Sequence, residues 1–205
     1  MSAAPVIHII EDDAALRTAL ARLLGASGYR VNLYESGDAF LASDTGKEPG
    51  CILLDMNMPG LTGLQLQEHL GRSASILPIV FLTGNGDIAM SVKAIKAGAE
   101  DFLSKPIGRE DLLEAIGRAM ARFAAASLQQ QQQADLRTRY RSLTAREAEV
   151  FGMVIQGLLN KQIAYALGNT ERTVKAQRQA VMEKLGADSV AELVQMGVSL
   201  GLLSI

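Results

Sequence analysis

The residues best suited to chemistry are acidic, and they follow short apolar runs. Glu11, Asp12 and Asp13 come directly after Val6–Ile10. Asp55 closes the run Cys51–Leu54, and Thr83 closes Ile79–Leu82. Lys105, within Ser104-Lys105-Pro106, follows Asp101–Leu103. Clustered carboxylates bind a hard divalent cation such as Mg²⁺, or Mn²⁺, which takes oxygen ligands and keeps waters. Such a metal would neutralise an incoming phosphoryl group and leave Asp55 as nucleophile. Lys105 could meet phosphoryl oxygens as a point charge, and Thr83 could donate its hydroxyl to them. Phosphoryl transfer needs mainly positioning and charge stabilisation, which this set supplies. Each residue also has a plainer use. Asp13 is expected to cap the first helix, Asp55 could open the turn Met56-Asn57-Met58-Pro59-Gly60, and Lys105 could be solvated. Their joint order favours the chemical reading.

The surrounding elements must bring these residues together. Val6–Ile10, Arg30–Tyr34, Cys51–Leu54, Ile79–Leu82 and Asp101–Leu103 read as strands. Helical patterns fit between them at 13–27, 36–43, 62–70 and 86–97, with another beginning near 109. Alternating strands and helices predict a doubly wound (βα)5 parallel sheet. In such sheets functional groups gather at the carboxyl ends of the strands.

The motifs I-E-D-D, L-D-M-N-M-P-G, F-L-T-G and F-L-S-K-P resemble the CheY-like receiver family over about residues 5–123. The resemblance implies Asp55 as phosphoacceptor and Glu11 and Asp12 as the acidic pair. It adds the Asn57 backbone carbonyl to the metal site, and it makes Thr83, Phe102 and Lys105 the switch residues. Asn57 and Asn85 would lie near the attacking water. Three positions depart from the usual pattern. Glu11 replaces Asp, Phe102 replaces Tyr, and Ile107 stands where Phe often follows Lys-Pro. These bear on the details of the switch rather than on phosphorylation.

A composition break follows at the five consecutive glutamines, residues 129–133. A polar linker is one reading. Gln and Ala are good helix formers, so the preceding helix could also run through. From Leu143 only helices are expected, giving an all-α four-helix domain. Thr144 and Glu147 form a capping box, and the helix they open should end near Gly157. The others span about 160–167, Thr170 to Leu185, and 188–200. A tight turn at 168–170 suits a helix-turn-helix. The implied organisation is a receiver at 1–125, a Gln-rich, helical linker at 126–142, and a helix-turn-helix domain at 143–205.

The segments N-K-Q-I-A and T-E-R-T-V-K resemble the LuxR/FixJ-type helix-turn-helix over about residues 140–203. The third helix of this domain should then enter the major groove. Arg172 and Lys161 suit phosphate contacts, and Thr173 and Arg178 stand on the same interface. Lys175, Ala176 and Gln179 fall where similar proteins meet base edges. Gln can read adenine and Ala can touch a thymine methyl. Gln177 stands where the family often has His. Val174, Val181 and Leu185 should be core.

Composition sets outer limits. The chain has 205 residues, 48% of them hydrophobic, with no Trp and one cysteine, Cys51, read as a core residue. That excludes an internal disulfide framework and a cysteine-based metal site. His8 and His69 are read as structural. Residues 1–125 carry 11 Lys/Arg against 15 Asp/Glu, and residues 126–205 carry 9 against 7, a mild shift towards basic. No stretch approaches the ~20 apolar residues that span a bilayer. A cytoplasmic protein without a signal peptide is expected.

The implied function is a transcriptional regulator phosphorylated by a histidine kinase, dimerising on phosphorylation and binding double-stranded promoter DNA. Two alternatives fit parts of the pattern. A haloacid-dehalogenase-type phosphatase would need a second acid two residues after Asp55, where Asn57 stands. A C-terminal protein-interaction module would fit a domain with so few basic residues.

Overall fold

A computed structural model describes residues 5–43, 48–84 and 88–203. Asn85 and the expected start of the fourth helix at 86 lie outside the described residues. The chain divides into two compact units, Met1–Ser127 and Leu128–Ile205.

The first unit holds β1 (Val6–Ile10), α1 (Ala14–Ala26), β2 (Arg30–Tyr34), α2 (Gly37–Ala42), β3 (Gly50–Asp55), α3 (Gly63–Arg72), β4 (Ile79–Thr83), α4 (Ile88–Lys96) and β5 (Asp101–Ser104). The strands pair in parallel in the order β2-β1-β3-β4-β5. β1 and β3 are buried throughout, as central strands of a two-sided sheet must be. Alternate residues face opposite layers. Ile10, Ile52 and Leu54 join one core with Phe40, Leu66 and Phe81. Ile7, Ile9, Cys51 and Leu53 join the other with Leu20, Leu24, Leu112 and Ile116. The strand order reverses between β1 and β3, so their carboxyl ends diverge into a cleft. Glu11 leaves β1 at that cleft, and Asp55 is the last residue of β3.

Local signals explain the helix starts. Asp13 caps α1, its carboxylate accepting from the amides of Ala15 and Leu16. Thr62 and Gln65 form a reciprocal capping box on α3. α5 runs from Arg109 to Arg141 and includes the glutamine run 129–133 as helix.

The second unit continues with α6 (Ala145–Ile155), α7 (Asn160–Leu167), α8 (Glu171–Leu185) and α9 (Val190–Ser199). Thr144 and Glu147 make the capping box on α6. α7 ends at Gly168, whose φ of 63° is the left-handed conformation glycine tolerates best. Thr170 then caps α8. Val150, Phe151, Ile163, Val174, Val181, Leu185 and Leu193 form one core. α9 starts two residues later than expected. Ser189 is its cap, and the Ser189 hydroxyl accepts from the Glu192 amide. Among the described residues, no helix is long and apolar enough to cross a membrane.

Candidate functional site

The cleft of the first unit gathers residues from four strand ends. Glu11, Asp12 and Asp55 each place a carboxylate oxygen within 4.8 Å of the others. Glu11 is fully buried, Asp55 nearly so, and Asp12 is exposed. Lys105 Nζ donates to Glu11 Oε2 and to Asp55 Oδ2, each at 2.9 Å. Asp55 Oδ1 accepts from the Asn57 amide at 3.2 Å. The Lys105 amide donates to the Thr83 carbonyl at 2.7 Å, which holds the lysine loop on the end of β4. The Thr83 hydroxyl is buried and donates to the Gly84 carbonyl at 3.1 Å.

The electrostatics follow from this packing. Burial pushes the Glu11 carboxyl up to about 7, against the pull of the Lys105 hydrogen bond, and the nearby Asp55 adds to the rise. Burial works against the Lys105 charge, but its bonds to Glu11 and Asp55 hold its pKa above the ordinary value. Two carboxylates, those of Glu11 and Asp55, thus share one ammonium, with the Asp12 carboxylate close by. The donor set is oxygen only, with no thiolate or imidazole, so it fits a hard divalent cation.

Two residues that tie elements of this unit together were not singled out from sequence. Arg17, four residues after the Asp13 cap, donates to the backbone carbonyls of Glu11 and Asp12. Buried Gln67 on α3 donates to the Ala94 carbonyl of α4 at 3.0 Å. Phe102 is 44% exposed on β5, and Val92 and Ile95 on α4 are exposed too.

In the second unit, Val174, Val181 and Leu185 turn one side of α8 into the core. Arg172, Thr173, Lys175, Ala176 and Gln179 are exposed, and so is Lys161 on α7. Thr173 is also part of the cap, its amide donating to Thr170 Oγ1 at 3.2 Å. Gln179 donates to Glu183 at 2.9 Å. Two basic residues of α8 have partners within the unit. Lys184 pairs with Glu147 of α6 at 2.6 Å, and Arg178 donates to Asn160 of α7 at 2.6 Å. The Lys184 hydrogen bond, with that of the Thr144 amide, holds the Glu147 carboxyl below its ordinary pKa.

Comparison with known proteins agrees with both halves. Residues 7–117 match the response regulator receiver domain, and residues 141–197 match the luxR family of bacterial regulatory proteins. The response regulator protein TmoT of Ectopseudomonas mendocina is 43% identical over 93% of this chain and 87% of its own length. The transcriptional regulatory protein FixJ of Rhizobium meliloti (strain 1021) is 38% identical over 95% of this chain and 96% of its own. The solved structure of the response regulator StyR is 41% identical, with a TM-score of 0.82 over 95% of this chain and 98% of that one. Full-length FixJ from B. japonicum is 37% identical, with a TM-score of 0.59 over 98% of each chain. The chain therefore belongs to the FixJ-type response regulators of two-component systems, a receiver domain followed by a LuxR-type helix-turn-helix, and acts as a transcriptional regulator.

Proposed function

We propose that Asp55 is the residue on which a histidine kinase places the phosphoryl group. The observation that carries this reading is the placement of Asp55 at the end of β3, between the Glu11–Asp12 pair and Lys105. Glu11, Asp12, Asp55 and the Asn57 carbonyl would hold Mg²⁺ or Mn²⁺. Bound there, the metal supplies charge neutralisation for the transferring phosphoryl group. The Asn57 amide orients the Asp55 carboxylate through Oδ1. An oxygen of that carboxylate forms a bond to phosphorus as the P–N bond to the kinase's phosphohistidine breaks, and the imidazole leaves with that electron pair. Lys105 then pairs with the phosphoryl oxygens in place of the bare carboxylate. Thr83 turns its hydroxyl from the Gly84 carbonyl to the new group, and the Phe102 ring moves inward. Exposed Val92, Ile95 and Phe102 supply an apolar surface on which phosphorylation favours a homodimer.

Residues 1–125 serve as the receiver, 126–142 as a helical linker, and 143–205 as the DNA-binding domain of a cytoplasmic protein. Arg172 and Lys161 contact promoter phosphates, beside Thr173 and Arg178 on the interface. Lys175, Ala176 and Gln179 meet base edges in the major groove. No turnover of an external substrate is part of this reading.

The test is incubation with Mg²⁺ and acetyl phosphate, followed by intact mass measurement. Wild type should gain one phosphate and Asp55→Asn none. Equal uptake by both proteins would overturn the assignment.

A further inference from the structure

We propose that Arg178 acts in DNA binding as a positioning residue that fixes the angle of the recognition helix, and not as a contact to the DNA backbone. This rests on the DNA-binding reading of the second unit. On sequence grounds Arg178 looks like one more cation for phosphate. Its geometry points elsewhere. The side chain is half-buried, and Nη1 donates to Asn160 Oδ1 at 2.6 Å. Asn160 is the first residue of α7, while Arg178 lies midway along α8.

The two helices are joined by residues 168–170 at one end. Asn160 lies seven residues before the end of α7, and Arg178 lies seven after the start of α8. At 1.5 Å per residue each arm is about 10 Å long. The Arg178–Asn160 bond therefore closes a triangle whose apex is the turn. Core contacts of Ile163 and Val174 press the helices together near that apex. Apolar packing is non-directional and confines a helix crossing angle only to within about 15–20°. A charge-assisted hydrogen bond on the open side is directional and sets it. Lys175, Ala176 and Gln179 stand on the arm whose angle is set. A small rotation would move these three side chains out of reach of base edges.

Salt dependence separates positioning from phosphate contact. Each lost phosphate contact lowers the slope of log K against log salt by about 0.9. A positioning residue lowers affinity at every salt concentration and leaves that slope unchanged. The experiment uses the full chain, a site obtained by random-site selection, and wild type, Asn160→Ala, Arg178→Ala, the double variant and Arg172→Ala. Asn160→Ala and Arg178→Ala should each weaken binding about five- to tenfold, and the double variant no further, as directly bonded side chains behave. Arg178→Lys, which keeps a cationic donor on a shorter and more flexible stem, should recover part of the loss. Arg172→Ala should show the smaller slope expected of a phosphate contact. A slope drop of about 0.9 per protomer in Arg178→Ala, or additive losses in the double variant, would overturn the inference. Asn160→Ala changes no charge and keeps the test open should Arg178→Ala fail to fold. Absence of wild-type binding to any DNA would instead sink the DNA-binding reading itself.

Discussion

Lys105 and Glu11 stand 94 positions apart and form a 2.9 Å ion pair at the carboxyl ends of β5 and β1. The same ammonium reaches Asp55 at 2.9 Å. Glu11 is fully buried, whereas the Lys105 side chain is 26% exposed. Removing the lysine leaves carboxylates facing each other with no cation. Breaking a buried pair costs about 3–5 kcal/mol, and solvent access to the lysine reduces that here to about 2 kcal/mol. Lys105→Ala should therefore unfold at lower temperature than wild type in chelator. Mg²⁺ should restore more stability to the variant than to wild type, because it takes over the missing charge. Thermal unfolding with and without Mg²⁺ measures this. An equal metal-induced shift in both proteins would show that Lys105 and the metal do not share these carboxylates.

Asp55 depends on a close approach that only glycine permits. At Gly63, the first residue of α3, an added Cβ would lie 2.5 Å from the Asp55 carbonyl and 2.9 Å from Phe81 Cε1. Backbone cannot yield cheaply, so α3 would have to move off the phosphoacceptor loop. Gly63→Ala should cost about 1–3 kcal/mol, as overpacking does. It should also slow phosphate uptake from acetyl phosphate at saturating Mg²⁺. Unchanged stability and uptake would mean the loop relaxes without consequence.

His8 gives the receiver a pH dependence of defined sign. It is fully buried on β1, between the Tyr34 hydroxyl and the Glu48 carbonyl, each at 3.2 Å. The carbonyl can only accept, so Nε2 carries the proton and Nδ1 accepts from Tyr34. Burial lowers the pKa of His8 below 6.5, outweighing the Glu48 hydrogen bond, which raises it. With the folded pKa depressed, the unfolded chain binds the proton first. The contribution to stability is full above pH 6.5 and is lost as pH falls through the lower folded value. Calorimetry of wild type and His8→Gln between pH 7.5 and 5 should show the steeper acid loss in wild type. Parallel curves would remove His8 as the cause.

Much of this architecture was legible because its signals are local. The apolar runs ending in Glu11, Asp55 and Thr83 marked both the strands and the cleft, since central parallel strands admit little else. Asp13 and the Thr144–Glu147 pair announced their helices through cap chemistry. The start of α9 carried the same signal in Ser189 and Glu192, although the expected helix began at Asp188. What sequence could not supply was side-chain pairing across helices. Arg17, Lys184 and Arg178 all look like solvated cations on a helical wheel. Their partners, the Glu11 and Asp12 carbonyls, Glu147 and Asn160, are set by interhelical and strand-end geometry. Two of the four cations on α8, Arg178 and Lys184, are therefore already engaged within the unit.

Gln177, next to Arg178, carries the opposite kind of defect. Its Oε1 is buried and, among the described residues, has no hydrogen-bond partner. An unsatisfied buried acceptor costs about 1–3 kcal/mol, whereas an apolar group of similar shape in its place costs nothing in desolvation. Methionine has nearly the same length and no carbonyl. Gln177→Met should therefore raise the stability of the second unit by about 1 kcal/mol, read as a higher denaturant midpoint in full-chain unfolding followed by hydrogen exchange of α6 and α8 amides. The exposed face of α8 is untouched, so DNA affinity should change less than twofold. A lower midpoint would mean that the amide nitrogen or an ordered water makes this glutamine a net stabilising residue.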